Sequence, residues 1–172
     1  MVTLEFTRDS SPPGGTLPRV SLKPASAEPG PTLWTWPAAS GGFYRELSFA
    51  LPANGSLAPW AERLAEVLAT LGWEEFALDA GPMRASLGAA WPDALARFGL
   101  AFLGAVNRPV RIRLGPEQQD AALTAAAGLW SEKLPGLSIE RENSTLPPPD
   151  RARPAGLAGT LARMLSLTQK PV

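Results

Sequence analysis

Two arginines in the segment 110–114 form the densest basic cluster in the middle of the chain. Arg111 and Arg113 are two residues apart, so an extended backbone turns both side chains to one face. Two guanidinium groups on one face can bind a phosphate or a carboxylate through paired hydrogen bonds. Together with the preceding Arg108, the two arginines are a candidate anion site.

A structural role for the same arginines competes with anion binding. The last strand predicted before the C-terminal segment carries Glu140 and Glu142 on one face. If this strand pairs with that of Arg111 and Arg113, the four side chains form an ionic ladder across the two strands. The sequence favours the ladder, and an anion site and a protein interface are the alternatives.

The chain contains no histidine and no cysteine among its 172 residues. It therefore lacks the side chain whose pKa lies nearest neutrality, a thiolate nucleophile, and the nitrogen and sulfur ligands of most zinc sites. The phosphate-loop and dinucleotide fingerprints and the Gly-Xaa-Ser-Xaa-Gly motif are also absent from the sequence. These absences argue against an enzyme, and the sequence predicts no catalytic residue, no metal site and no cofactor.

Carboxylates are the remaining route to acid–base chemistry, with or without a metal ion of the magnesium type. Glu74 and Glu75 are adjacent in a predicted strand and so point to opposite faces. Asp79 lies at the carboxyl end of that strand, which is the edge where open α/β sheets bind ligands. A carboxylate enzyme is the least favoured of the functions considered, and Asp79 is its first candidate residue.

Two tryptophans stand in a segment rich in proline and glycine. Trp34 and Trp36 are two residues apart and share a face if the segment is extended. They either cover the edge of the core, because a long loop needs apolar anchors, or form an exposed platform for a ligand or partner. The sequence favours the first interpretation and leaves the second open.

The C-terminal segment from Arg151 onward carries basic side chains and no acidic one. Its apolar residues are spaced as on one side of a short amphipathic helix, and they are Leu157, Leu161, Met164 and Leu165. Such a helix can dock on its own domain, on a second subunit, or in the groove of another protein. These four residues and the two tryptophans are the predicted partner-binding set.

Nucleic-acid binding is the alternative that uses the arginines. The formal net charge is +0, so the whole chain creates no field that would concentrate it on nucleic acid or on an anionic membrane. A local surface would be needed, with the tryptophans stacking on the bases of single-stranded DNA. Its phosphate contacts would come from Arg108, Arg111, Arg113, Arg151 and Arg153.

Strand and helix patterns alternate between residues 43 and 142 and predict a parallel β-α-β core. A first strand is predicted near residues 1–8, and the turn-rich segment 9–42 leaves room for one short strand at most. The predicted elements of the core are a strand 43–51, a helix 59–71, a strand 73–78, a short helix 82–90, a longer helix 92–106, a strand 110–114, a helix 116–134 and a strand 137–142.

The chain divides into four predicted parts. Residues 1–42 hold the N-terminal strand or strands and a loop rich in proline and glycine, and residues 43–142 form the core. Residues 143–156 are a proline-rich linker, and residues 157–172 form the amphipathic helix and tail. The start shows no signal-peptide pattern, and the longest apolar run, 98–106, is too short to cross a membrane.

The predicted fold is α/β, or α+β: one domain with a mixed sheet of five or six strands, covered by three main helices, plus the C-terminal amphipathic helix. A soluble protein of the cytoplasm, from a bacterium with a GC-rich genome, is expected. The favoured function is that of a non-catalytic binding or adaptor protein. Its partner would be another protein or a second copy of the chain.

Overall fold

The computed structural model describes residues 1–6, 17–38, 41–115 and 121–141. The predicted linker 143–156 and the predicted helix 157–172 lie outside the described residues, as does Glu142. Residues Met1–Glu140 form one compact unit of mixed α/β architecture.

The described residues form a sheet of seven strands. They are β1 (Val2–Phe6), β2 (Arg19–Pro24), β3 (Gly30–Pro37), β4 (Phe43–Leu51), β5 (Glu75–Asp79), β6 (Val110–Leu114) and β7 (Leu137–Arg141). Their order across the sheet is β3-β4-β2-β5-β6-β1-β7. Strands β4, β2, β5, β6 and β1 are parallel neighbours, and β3 is antiparallel to β4.

The prediction of five or six strands is wrong, because the segment 9–42 contains two strands instead of one. β2 and β3 both lie in this segment, among the turn-forming residues that argued against them. Both strands pair with β4, which lies between them in the sheet, and β2 also pairs with β5. The tertiary pairing therefore outweighs the local preference for turns.

Three long helices and one short helix join these strands. They are α1 (Ala58–Leu71), α2 (Gly81–Leu87), α3 (Trp91–Ala105) and α4 (Ala121–Lys133), with a single 3₁₀ turn between α2 and α3. α1 ends at Gly72, whose φ of 70° is left-handed and whose N–H donates to Ala69 O at 3.1 Å. This glycine terminates the helix as the sequence predicts.

The two faces of the sheet differ in polarity because side chains alternate along each strand. On one face the buried residues of β6 are Val110, Ile112 and Leu114, and they join the core formed with α1, α3 and α4. On the other face β6 carries Arg111 and Arg113. We call this second face, which includes Glu5, Ser21 and Glu46, the polar face of the sheet.

None of the helices within the described ranges has the length and apolar character needed to cross a membrane.

Candidate functional site

The arginines of β6 are neutralised by carboxylates on the polar face. Arg111 Nη1 donates to Glu5 Oε2 at 2.9 Å and to Glu140 Oε2 at 3.0 Å. Arg113 Nη2 lies 2.6 Å from Glu75 Oε1, and Arg113 Nε lies 3.7 Å from Glu5 Oε2. The hydrogen bond that Arg111 donates to Glu5, followed by the one that it donates to Glu140, raises the pKa of Arg111. The two arginines are therefore members of an ionic ladder.

The strands of this ladder differ from those expected. β7 lies next to β1 and not next to β6, so Glu140 reaches Arg111 across an intervening strand. That intervening strand supplies Glu5, which contacts both arginines. Sequence reasoning missed Glu5 because nothing local shows that the N-terminal strand inserts beside β6.

Arg108 lies away from the ladder and has a structural role. Its Nη2 donates to Leu68 O at 2.9 Å and to Trp73 O at 2.7 Å. The guanidinium thus joins the last turn of α1 to the residue that leads into β5. Of the five arginines assigned to nucleic acid, the structure brings only Arg111 and Arg113 together among the described residues, while Arg151 and Arg153 lie outside them.

Asp79 is at the carboxyl end of β5, as predicted, and its side chain is hydrogen-bonded to the start of the next helix. Asp79 Oδ1 accepts a hydrogen bond from the backbone N–H of Gly81 at 2.9 Å, at the start of α2. In the part of the chain that the structure describes, no group of three or more acidic side chains could hold a metal ion. Asp79 is therefore not part of a cluster of three acidic side chains among these residues.

The two tryptophans lie on β3, at the edge of the sheet, and are exposed. Their exposed fractions are 46% for Trp34 and 48% for Trp36, and the rings stack at 5.9 Å between centroids with 19° between planes. The register places them opposite Glu46 and Tyr44, on the polar face. The favoured interpretation, that they cover the edge of the core, is wrong because this face lies away from the core.

Exposed aromatic side chains are confined to the β3–β4 hairpin. All thirteen aromatic residues (six Trp, six Phe and one Tyr) lie in the described ranges, and three of them are exposed. Phe43 at 71% joins the two tryptophans, and the neighbouring Leu33 is 47% exposed. We call Leu33, Trp34, Trp36 and Phe43 the aromatic edge.

The alternation along β4 puts Phe43 on the same face as the buried Leu47, and the register keeps it on that face, but Phe43 is exposed. β4 begins three residues before it meets β2, because the first pair between these strands is Arg19 with Glu46. Phe43 therefore has only Pro37 of β3 beside it. One signal could have identified the exposed hairpin: residues 29–44 contain no charged side chain.

Polar groups lie beside the stacked tryptophans on the same face. Ser21 Oγ donates to Glu46 Oε1 at 2.8 Å, and Glu46 is opposite Trp34. Burial raises the pKa of Tyr44, which is opposite Trp36; Arg19 opposes this shift, while Glu46 and Asp79 add to it. The tryptophans thus combine an apolar surface with neighbouring hydrogen-bonding groups.

Two of the described concavities offer few free polar groups to a ligand. A cavity of about 30 Å³ within the core, lined by Gly99, Ile112 and Trp130 among other residues, has room for about one water molecule. A groove of about 480 Å³ lies between the β4–α1 loop and α3, and its charged groups, Asp93 and Arg97, are paired with each other. Neither supplies several converging polar groups.

Comparison of the chain with protein-family models, with curated proteins and with solved structures gives no match.

Proposed function

We propose that this chain is a non-catalytic binding protein that engages a protein partner, either a different protein or a second copy of the chain, through the aromatic edge. The observation that carries the proposal is the confinement of exposed aromatic side chains to one uncharged hairpin at the edge of the sheet. Ten other aromatic residues are buried or partly buried, so the exposure of these three is not a general property of the surface. A bound partner would remove them from water.

The residue types suit a protein partner. Tryptophan is enriched among the residues that dominate protein interfaces, since a large rigid ring buries much apolar area at a small cost in side-chain entropy. Trp34 and Trp36 stack on each other, so part of the entropy cost of ordering the two rings is met before a partner binds. Trp34 and Trp36 form one exposed apolar surface on the polar face, and Leu33 and Phe43 are exposed on the opposite face of the same hairpin. Exposed apolar groups of this kind mark interaction sites.

Binding of single-stranded DNA is the rival use of the same tryptophans. The carboxylates near Arg111 and Arg113 disfavour DNA binding. They pair with these two arginines and would repel phosphates, and they belong to Glu5, Glu75 and Glu140. A fluorescence titration with an oligothymidine at low salt separates the two functions. We expect no quenching that depends on Trp34 and Trp36, and salt-sensitive quenching that is lost in the W34A/W36A double variant would favour DNA.

Site-specific photo-crosslinking tests the protein-binding proposal directly. A photoreactive residue at position 36 should form adducts with one or a few defined proteins in cells that make the full chain. The matched control is position 129, where Leu129 is 37% exposed on α4, away from the aromatic edge. The proposal fails if position 36 gives no more adducts than position 129, with the fold of both variants checked by circular dichroism.

The C-terminal segment is the proposed second contact, through Leu157, Leu161, Met164 and Leu165. Removing residues 150–172 should weaken a crosslink from position 36 without abolishing it, since the aromatic edge lies in the part that remains. A location in the cytoplasm, which the lack of cysteine suits, belongs to the same proposal.

A further inference from the structure

The backbone of β3 presents few hydrogen-bond donors at the outer edge of the sheet. In its antiparallel pairing with β4, the even-numbered residues form the hydrogen-bonded pairs, as the bond from Ala38 N–H to Gly42 O at 3.1 Å in the same register shows. The odd-numbered residues, Pro31, Leu33, Thr35 and Pro37, therefore direct their backbone groups outward. Because proline has no N–H, the outward donors are those of Leu33 and Thr35.

These outward groups are arranged symmetrically about Trp34. The two donors lie one residue to either side of it, and the two prolines lie three residues to either side. Antiparallel pairing of two copies of β3 about Trp34 would place each Leu33 opposite Thr35 of the second copy. All four outward N–H groups would then meet a carbonyl. Each proline would face a proline, so the pairing would end there and the proline carbonyls would be left to water.

We propose that the aromatic edge binds a second copy of this chain, so that two seven-stranded sheets join through antiparallel β3 strands. This inference rests on the proposed function and names the partner. At the two-fold axis, Trp34 would lie beside Trp34 of the second copy at a distance where cross-strand rings touch. With Trp36 of each copy, four indoles would form one stack on the polar face.

The charge of the edge also suits a second copy. Exposed edge strands are commonly protected from pairing by charged side chains, especially lysine, or by proline. The sixteen residues 29–44 contain no charged side chain, and the two prolines of β3 lie near the ends of the strand. Two such edges meet without repulsion, and the chain as a whole has a formal charge of +0. An acidic or basic partner would find no opposite charge on β3.

The exposed side-chain area of β3 is smaller than that of a standard interface, so the dimer depends on the backbone hydrogen bonds as well and should be weak. Two half-exposed tryptophans and Leu33 offer on the order of 300 Å² of apolar side chain per copy. The paired backbone of the eight-residue strand adds to this, against about 800 Å² per partner in a standard interface. The prolines at both ends restrict the pairing to the central residues and oppose its extension.

Sedimentation analysis tests the proposal by comparing the full chain with variants in which a substitution in β3 prevents pairing with a second copy. We expect twice the chain mass of 18.2 kDa at high concentration. Thr35→Pro removes an outward donor without removing a bond to β4 and should halve that mass, whereas Thr35→Val keeps the N–H and should remain dimeric. Should Thr35→Pro fail to fold, Leu33→Lys should also halve the mass, with Leu129→Lys as the exposed-leucine control.

Hydrogen exchange distinguishes backbone pairing from stacking alone. The amides of Leu33 and Thr35 should be protected at high concentration and exchange upon dilution, while those of Trp34 and Trp36, which face β4, stay protected. A monomer at every concentration would overturn the second copy as partner, as would a dimer whose Leu33 and Thr35 amides exchange freely. If the chain is a monomer that still gives crosslinks to other proteins from position 36, the proposed function stands and only the dimer is ruled out. If the chain is a monomer and position 36 gives no crosslinks, both the dimer and the proposed function are ruled out.

Discussion

Trp130 occupies the space that a side chain on residue 99 would need. A Cβ atom on Gly99 would overlap Cζ2 and Cε2 of the Trp130 ring and lie 2.8 Å from its Cη2. Trp130 Nε1 donates a hydrogen bond to Ala96 O at 2.9 Å, one turn before Gly99 in α3. The ring is therefore held in place, and α3 and α4 approach each other closely at Gly99, where α3 has no side chain.

Gly99→Ala should therefore destabilise the fold, although alanine is the better helix former. We expect the free energy of unfolding to fall by about 1–3 kcal/mol, the cost typical of overpacking a core, in a urea denaturation experiment. The control is Gly104→Ala on the same helix, whose Cβ would lie 3.8 Å from Leu134 Cδ2. That variant should be neutral or more stable by up to about 1 kcal/mol, and equal effects of the two would contradict the close packing.

Arg108→Leu should destabilise the chain through the backbone. The substitution leaves the carbonyls of Leu68 and Trp73 without the guanidinium donor that lies 2.9 and 2.7 Å away. We expect a loss of about 1–3 kcal/mol in the free energy of unfolding. Arg63→Leu is the comparison, because Arg63 pairs only with an exposed Glu66 at 3.3 Å and should cost no more than about 0.5 kcal/mol.

The ionic ladder should show measurable coupling between Arg113 and Glu75. A double-mutant cycle with Arg113→Met and Glu75→Gln isolates their interaction. Both side chains are partly shielded from water, at 28% and 39% exposure, so we expect a coupling of about 1 kcal/mol that weakens with salt. The exposed pair Arg63 and Glu66 should show a coupling free energy of about 0.3 kcal/mol. If the coupling between Arg113 and Glu75 is no larger than this, the ionic ladder does not stabilise the fold more than an exposed ion pair does.

Tyr44 makes the stability depend on pH in the alkaline range. Burial raises its pKa above the ordinary value of 10.0, so the folded state keeps the phenol proton where the unfolded state loses it. The unfolded state then binds fewer protons, and stability must fall as the pH rises from 10 through the folded pKa. Tyr44→Phe should remove this part of the alkaline loss.

The titration itself can be followed without labels. Tyr44 is the only tyrosine in the chain, so ultraviolet absorbance of the phenolate reports this residue alone. The midpoint in native protein should lie above that in denaturant. Equal midpoints in native and denatured protein would show that burial beside Trp36 does not raise the pKa of the Tyr44 phenol.

Periodicity predicted the elements whose burial follows a single local pattern. α1 and α3 carry continuous apolar faces, and their buried residues include Leu64, Leu68, Leu95 and Phe102. β6 alternates Val110, Ile112 and Leu114 with its arginines, and the alternation correctly separates the core side from the polar side. In such segments the spacing of apolar side chains and the geometry of the element agree, so the sequence suffices.

The errors occurred where a neighbour distant in sequence decides the outcome. β2 and β3 form because β4 supplies hydrogen bonds on both of its sides, which outweighs the local turn preference. Phe43 fits the apolar alternation of β4 but is exposed because β2 begins too late to flank it.

The residue types alone determined that this chain lacks imidazole and thiol chemistry, that its arginines on β6 share a face, and that an uncharged segment contains two tryptophans two residues apart. The tertiary structure decided what those residues contact. Inserting β1 beside β6 gives Glu5 to the arginines, and placing β3 at the edge leaves Trp34 and Trp36 in water. The order of strands depends on the burial and hydrogen bonding of the whole sheet, and no local pattern encodes that sum.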